Sequence, residues 1–329
     1  MYRKILVGYD GSEQAKDALA FGKQLADTSS AELVVAGVWP VAQMWSGLDP
    51  AIDEAEAEFA HMVGAAAKSV GAKGERVLST SPARGLHDRA ERIDADLIVV
   101  GSCAHGRWGQ TLVGSVGVAL LHGSPCAVAI APHGYRDQAD RDIETIVVGF
   151  DGSAEAGLAL LAASRLAREI SARVKLVSVA EPPALGTGKG GSDGCHALKE
   201  AIEDDVRDTL TQGCSAVPDG IDAEPVLVSG DPATALAEAA KEPGTLLILG
   251  SRGYGPVRRV LLGSVSRELV RSAPSPVIIH PRGMQEPARH TRPEELSRAV
   301  RPPVRLSGRE GGSPVSRRWV LQSRDQRRG

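Results

Sequence analysis

Two stretches of this chain have residue types and spacings suited to holding an anion. In the second half, Gly250-Ser251-Arg252-Gly253 is followed after nine residues by Gly263-Ser264. Glycines let backbone N–H groups approach an anion with no Cβ in the way. A helix opening at Gly263-Ser264 would aim its unpaired N–H groups and positive end at a phosphate. The Ser264 hydroxyl could donate to a phosphate oxygen. Arg252, Arg258 and Arg259 lie between these points and could neutralise a polyphosphate. The structural alternative is a tight turn and a helix start that hold no ligand. In the first half the same stretch reads Gly101-Ser102-Cys103-Ala104, then Gly114-Ser115. Ala104 stands where the second glycine belongs. If that position needs positive φ, alanine costs about 1–2 kcal/mol, although Gly106 lies two residues on. The first half is therefore expected to hold an anion less tightly. Cys103 and His105 share this loop, but two residues without a partner cluster do not make a metal site. None of the four cysteines forms a CxxC pair, so no metal is expected and free buried thiols are.

These loops come from a duplication. ILVGYDGS at 5–12 returns as IVVGFDGS at 146–153, LIVVGS at 97–102 as LLILGS at 246–251, and LVGSVG at 112–117 as LLGSVS at 261–266. The repeat is the length of a whole domain rather than a solenoid unit. Short apolar runs closed by glycine read as buried strands: Ile5–Val7, Leu33–Val38, Arg76–Leu78, Leu97–Val100 and Ala127–Ile130. Their second-half counterparts are Ile146–Val148, Val174–Val179, Pro225–Val228, Leu246–Leu249 and Val277–Ile279. Between them lie helices. Ser12 suits an N-cap, and Ala15, Ala18, Leu19, Gly22, Leu25 and Ala26 repeat 141 residues on as Ala156, Ala159, Leu160, Ala163, Leu166 and Ala167. Further helices are expected over Asp53–Val70, Ala83–Arg92, Leu198–Leu210 and Ala233–Lys241, with one starting near Gly114 and one near Gly263. Acidic residues on these helices, such as Asp53, Glu58, Glu200 and Asp205, read as solvated faces.

Strands alternating with helices give an α/β protein of two tandem, doubly wound, parallel five-stranded sheets, with strand order 3-2-1-4-5. That order places a crevice between strands 1 and 4, beside the best-matched loops of the repeat, where such sheets take their ligands. Residues 1–132 form the first domain, 133–142 a short polar linker, and 143–281 the second domain. Residues 282–329 form a disordered basic tail. Glu181–Gly194, rich in glycine and proline, reads as a flexible insertion. It lacks the GxxxxGK spacing of a phosphate loop.

Composition narrows the function. From Arg282 onward there are 12 arginines and 5 acidic residues, a net of +7, which leaves −10 on the rest of a chain of net charge −3. An acidic body argues against nucleic-acid binding by the repeats, while the basic tail could meet an acidic protein partner. No apolar run is long enough to span a membrane, and nothing reads as a signal peptide, so a cytoplasmic protein is expected.

The glycine spacing, the Asp-Gly-Ser after each first strand and the final Pro-Val-like strand resemble the universal stress protein family, in its nucleotide-binding branch. The resemblance spans residues 3–132 and 144–281. It implies a tandem protein holding ATP in each half, possible Mg2+ alongside, last strands that pair across halves or subunits, and homodimerisation. By position, Gly8, Asp10, Gly149 and Asp151 would border the nucleoside, and Val38 and Val179 would offer backbone to the adenine. In the first half, Gly101, Ser102, Ala104, Gly106 and Arg107, with Gly114, Ser115 and Val116, would face the phosphates. In the second, Gly250, Ser251, Arg252, Gly253 and Gly255, with Gly263, Ser264 and Val265, would do the same. For Asp10 and Asp151 a plain turn beside glycine remains the structural alternative. The implied role is stress-response regulation through ATP binding, without efficient turnover, since no general base stands out for a γ-phosphate. A slow ATPase or adenylating enzyme of a related adenine-binding fold is one alternative, although SGGxDS and HIGH signatures are absent. An interaction scaffold with empty crevices is the other.

Overall fold

The computed structural model describes residues 2–40, 50–103, 112–113, 115–181, 192–251, 263–280 and 320–321. The first half runs β1 (Lys4–Gly8), α1 (Glu13–Ser29), β2 (Glu32–Pro40), α2 (Pro50–Ser69), β3 (Lys73–Ser79), α3 (Pro82–Ile93), β4 (Leu97–Cys103), β5 (Leu112–Val113), α4 (Ser115–Leu121) and β6 (Ala127–Ala131). The second half runs β7 (Thr145–Gly149), α5 (Ala154–Ile170), β8 (Arg173–Ala180), α6 (Ser192–Ala216), β9 (Ala223–Ser229), α7 (Pro232–Ala239), β10 (Thr245–Gly250), α8 (Ser264–Ser272) and β11 (Val277–His280). Each half has the expected 3-2-1-4-5 order, β3-β2-β1-β4-β6 and β9-β8-β7-β10-β11, with parallel pairing throughout. The short β5 is an addition that sequence periodicity did not show; it pairs antiparallel with β4.

The central strands are apolar along their length because helices cover both faces. Ile5–Val7 and Ile146–Val148 are each fully buried. One core gathers α1, α2, α5 and α6, and the other gathers α3, α4, α7 and α8, and both run through the two halves without a break. The break is avoided by the last strands. β6 and β11 pair antiparallel, with Ile130 opposite Val277 and Val128 opposite Ile279. An exposed terminal strand is an aggregation-prone edge, and this pairing removes two of them at once. Because the seam is antiparallel, the carboxyl ends of the parallel strands in the two halves face opposite ways.

The segment read as a polar linker is more ordered than its composition implies. A 3-10 turn at Tyr135–Gln138 docks on α1. The Asp17 carboxylate, 1% exposed, accepts from the Gly134 and Arg136 N–H groups at 2.8 and 3.1 Å. The Tyr135 hydroxyl donates to Gln24, and its ring meets Phe21 edge-on at 5.0 Å. Polar residues hold the linker through main-chain hydrogen bonds, which a periodicity argument does not register. Helix α6 also starts earlier than its apolar pattern suggested, at Ser192, inside the glycine-rich insertion; residues 182–191 lie outside the described set. Of the tail expected to be disordered, Val320–Leu321 (β12) is described and lies parallel to β9; its other residues lie outside the description.

Candidate functional site

Each Asp-Gly-Ser turn is built the same way. In the second half the Asp151 carboxylate accepts from the Ser153 N–H at 3.0 Å, Gly152 takes φ 75°, and the Ser153 hydroxyl caps α5 by accepting from the Ala156 N–H at 3.1 Å. In the first half Asp10 accepts from the Ser12 N–H at 3.0 Å, Gly11 takes φ 83°, and Ser12 caps α1 through the Ala15 N–H at 3.1 Å. The left-handed conformation explains the glycine. The turn explains much of the aspartate too: it closes an Asx turn and leaves the rest of its carboxylate at the strand end, exposed.

A cavity of about 310 Å³ opens at the ends of β7, β8 and β10. It brings together Gly149, Asp151, Val179, Gly250, Gly263, Ser264 and Val265, seven of the expected second-half residues. Its floor is apolar, with Val177, Leu236 and Leu249 beside Val179. In the same lining α8 begins with Gly263 as an extended N-cap residue that gives no side-chain hydrogen bond. The first N–H groups of α8 have no partner within the helix, and this part of the cavity collects the positive end of the helix dipole. An apolar floor and a bare helix start in one cavity suit a ligand with a flat apolar part and an anionic part.

Packing accounts for some of the expected site residues before any ligand does. A Cβ on Gly250 would lie 2.5 Å from the carbonyl carbon and oxygen of Glu155, and one on Gly101 would collide with the Gln14 carbonyl. A Cβ on Gly149 would lie 2.8 Å from Leu249 Cδ2, and one on Gly8 2.7 Å from Leu86 Cδ1. Gly250 and Gly101 are therefore needed for close packing of helix against strand, before any ligand is considered, whereas Gly149 and Gly8 meet only the ends of side chains, which can give way. Ser251, placed with the phosphate loop by sequence, is fully buried, and its N–H donates to the His280 carbonyl at 2.9 Å. Its first-half counterpart Ser102 is likewise fully buried, and its hydroxyl finds no hydrogen-bond partner among the described residues. Both serines alternate inward at the strand end, so a phosphate-facing side chain is not their geometry. Val38 and Val116 are partly buried beside the core that contains Leu86. Ser115 opens α4. Ala104, Gly106, Arg107, Gly114, Arg252, Gly253 and Gly255 lie outside the described residues.

Several cavity residues were not found by sequence reasoning. Ser178, buried, donates its hydroxyl to the Phe150 carbonyl at 2.6 Å. Asp205, Val206 and Thr209 come from α6, where Asp205 had read as a solvated face. The signal was available only as proximity across the sheet. Asp151, Glu155, Glu181 and Asp205 put four carboxylates around the cavity. A polyanion here would need a cation to offset like-charge repulsion. Among the described residues no group of three or more His, Cys, Asp or Glu could hold a metal ion. Cys126 and Cys214 are buried thiols outside any disulfide, and burial pushes the Cys126 thiol up to about 12. No helix among the described residues is long and apolar enough to cross a membrane.

A model of the universal stress protein family matches this chain twice, over residues 1–132 and 142–281. A universal stress protein of Mycobacterium tuberculosis is 28% identical over 300 residues, spanning 84% of this chain and 99% of that protein. A universal stress protein of Bacillus subtilis is 30% identical over 144 residues, 41% of this chain and 96% of the relative. The crystal structure of a universal stress protein from Archaeoglobus fulgidus superposes with a TM-score of 0.62 at 22% identity, covering 85% of this chain and 98% of that one. That likeness carries the fold.

Proposed function

The chain belongs to the universal stress protein family, and on that premise we propose that it is an ATP-binding regulatory protein of the stress response. The nucleotide sits at the switch point of the sheet, in the cavity between β7 and β10. The observation that carries the reading is the pairing of an apolar floor with a helix start whose N-cap residue, Gly263, offers no side chain, within one space of about 310 Å³. The adenine lies toward Val177, Val179 and Leu236, and the phosphates toward Gly263 and Ser264 at the start of α8. Mg2+ accompanies the phosphates. It typically keeps several waters and is held by one or two carboxylates plus the phosphates, which is compatible with the scattered carboxylates here and with the absence of a three-ligand cluster among the described residues. The same ion offsets the repulsion from Asp151, Glu155, Glu181 and Asp205.

Homodimerisation, if it accompanies this function, must use a surface other than the last strands, since β6 and β11 already pair within the chain. Isothermal titration calorimetry of the full chain tests the function. Binding of ATP with Mg2+, stronger than that of GTP, is expected. An absence of binding at millimolar ATP would leave an interaction scaffold as the reading.

A further inference from the structure

We propose that the two switch points are not equivalent: the second takes nucleotide, and the first is closed by Phe59 and Met62 of its own helix α2. The proposal rests on the nucleotide reading and adds which half performs it.

Helices α2 and α6 correspond 147 residues apart. Val63 and Leu210 are both buried in the same core, as are Ala67 and Cys214. In this register Met62 stands at the place of Thr209, and Phe59 at the place of Val206. The turns confirm the match. The atom nearest to a Cβ on Gly152 would be Thr209 Cγ2 at 2.9 Å, and nearest to one on Gly11 would be Met62 Sδ. Thr209 and Val206 line the second-half cavity. Their first-half replacements are larger, and both reach toward the strand end.

The strand side changes in step. Gly37 on β2 stands where Ser178 stands on β8, 141 residues apart. The missing side chain does not leave room for a ligand, because Val63 and the Phe59 ring fill it: a Cβ on Gly37 would lie 2.3 Å from Val63 Cγ2 and 2.8 Å from Phe59 Cε1 and Cζ. Trp39, where the second half has Ala180, packs on Phe59 with ring centroids 5.3 Å apart. Phe59 and Met62 both pack against the buried core. A nucleoside that reaches the α2 side of the first crevice must displace a packed aromatic ring, and re-exposing such a ring weakens binding by about 10- to 100-fold.

Calorimetric titration of the full chain with Mg2+ and ATP reads the stoichiometry. One nucleotide per chain is expected. Thr209→Met recreates in the second half the methionine-over-glycine arrangement that Gly11 already tolerates. It should weaken that binding at least about 10-fold with melting temperature little changed. The double variant Phe59→Val/Met62→Thr should raise the stoichiometry toward two. Two sites of equal affinity in the parent, or one site indifferent to Thr209→Met, overturn this proposal and leave the nucleotide reading standing. No binding by the parent at all sinks the nucleotide reading and this proposal with it.

Discussion

Gly250 and Gly263 are both glycines of one motif, yet they do different physical work. Gly250 lacks a side chain because the α5 backbone at Glu155 lies against it. Gly263 sits extended at the open start of α8 and faces the cavity. Gly250→Ala should therefore destabilise the fold by about 1–3 kcal/mol through overpacking, seen as a lower denaturant midpoint. Gly263→Glu should leave the midpoint nearly unchanged and abolish ATP binding, because a carboxylate would stand where phosphate is proposed. Equal loss of stability from both would show that the distinction is false. Ser153→Ala removes the α5 cap and should cost about 1 kcal/mol, measured in the same denaturation experiment. Asp-Gly-Ser was legible in the sequence as a turn and cap because its requirements are local. Ser251 was not, since its burial and its bond to the His280 carbonyl depend on a strand 29 residues away.

At the level of elements, the strands and their order could be read because buried parallel strands are short apolar runs ended by glycine. Helices α1 and α5 were legible for a similar reason, their shared stripe of small residues. The faces of α2 and α6 were not. Their exposed acidic residues dominate the pattern, while the residues that set the shape of each crevice, Phe59, Met62, Val206 and Thr209, are only partly buried. Ala104 had been the sequence-based reason to expect a weaker first site, and it lies outside the described residues; the bulk on α2 supplies an independent one. The linker docks through Asp17, a buried carboxylate in the middle of a helix that otherwise reads as amphipathic. Asp17→Ala leaves the Gly134 and Arg136 N–H groups without their acceptor and should loosen the 3-10 turn. Faster amide hydrogen exchange over 134–138 would show it, and unchanged exchange would argue that Tyr135 alone holds the turn.

Across the whole molecule the antiparallel seam places the carboxyl strand ends of the second half against the base of the first. Tyr2, from the first half, and His280, from the second, meet there in a buried pair, with hydroxyl and Nε2 3.2 Å apart. Burial lowers the His280 pKa to about 4 and raises that of the Tyr2 hydroxyl. The neutral imidazole and the phenol thus share one hydrogen bond, whose donor is set by the imidazole tautomer. Because the folded His280 binds its proton more weakly than an unfolded histidine, its contribution is complete above about pH 6.5. It is lost progressively as pH falls from there toward 4. Tyr2→Phe should cost about 1–3 kcal/mol by leaving the buried ring nitrogen unpaired. Thermal melts between pH 7.5 and 4 check both statements; a parent whose stability is flat across that interval would contradict the first. The continuous cores and the paired last strands make the body self-sufficient, so truncation after Gly283 should preserve folding and ATP binding. Loss of soluble protein on truncation would show that the tail and its short contact with β9 matter more than their size suggests. The claim on which the account depends is that nucleotide occupies the cavity between β7 and β10. Native mass spectrometry of the full chain and its Gly263→Glu variant, each incubated with Mg2+ and ATP, addresses it directly. One nucleotide per parent chain and none on the variant is the predicted result; equal occupancy of the two proteins, or no nucleotide on either, would contradict it.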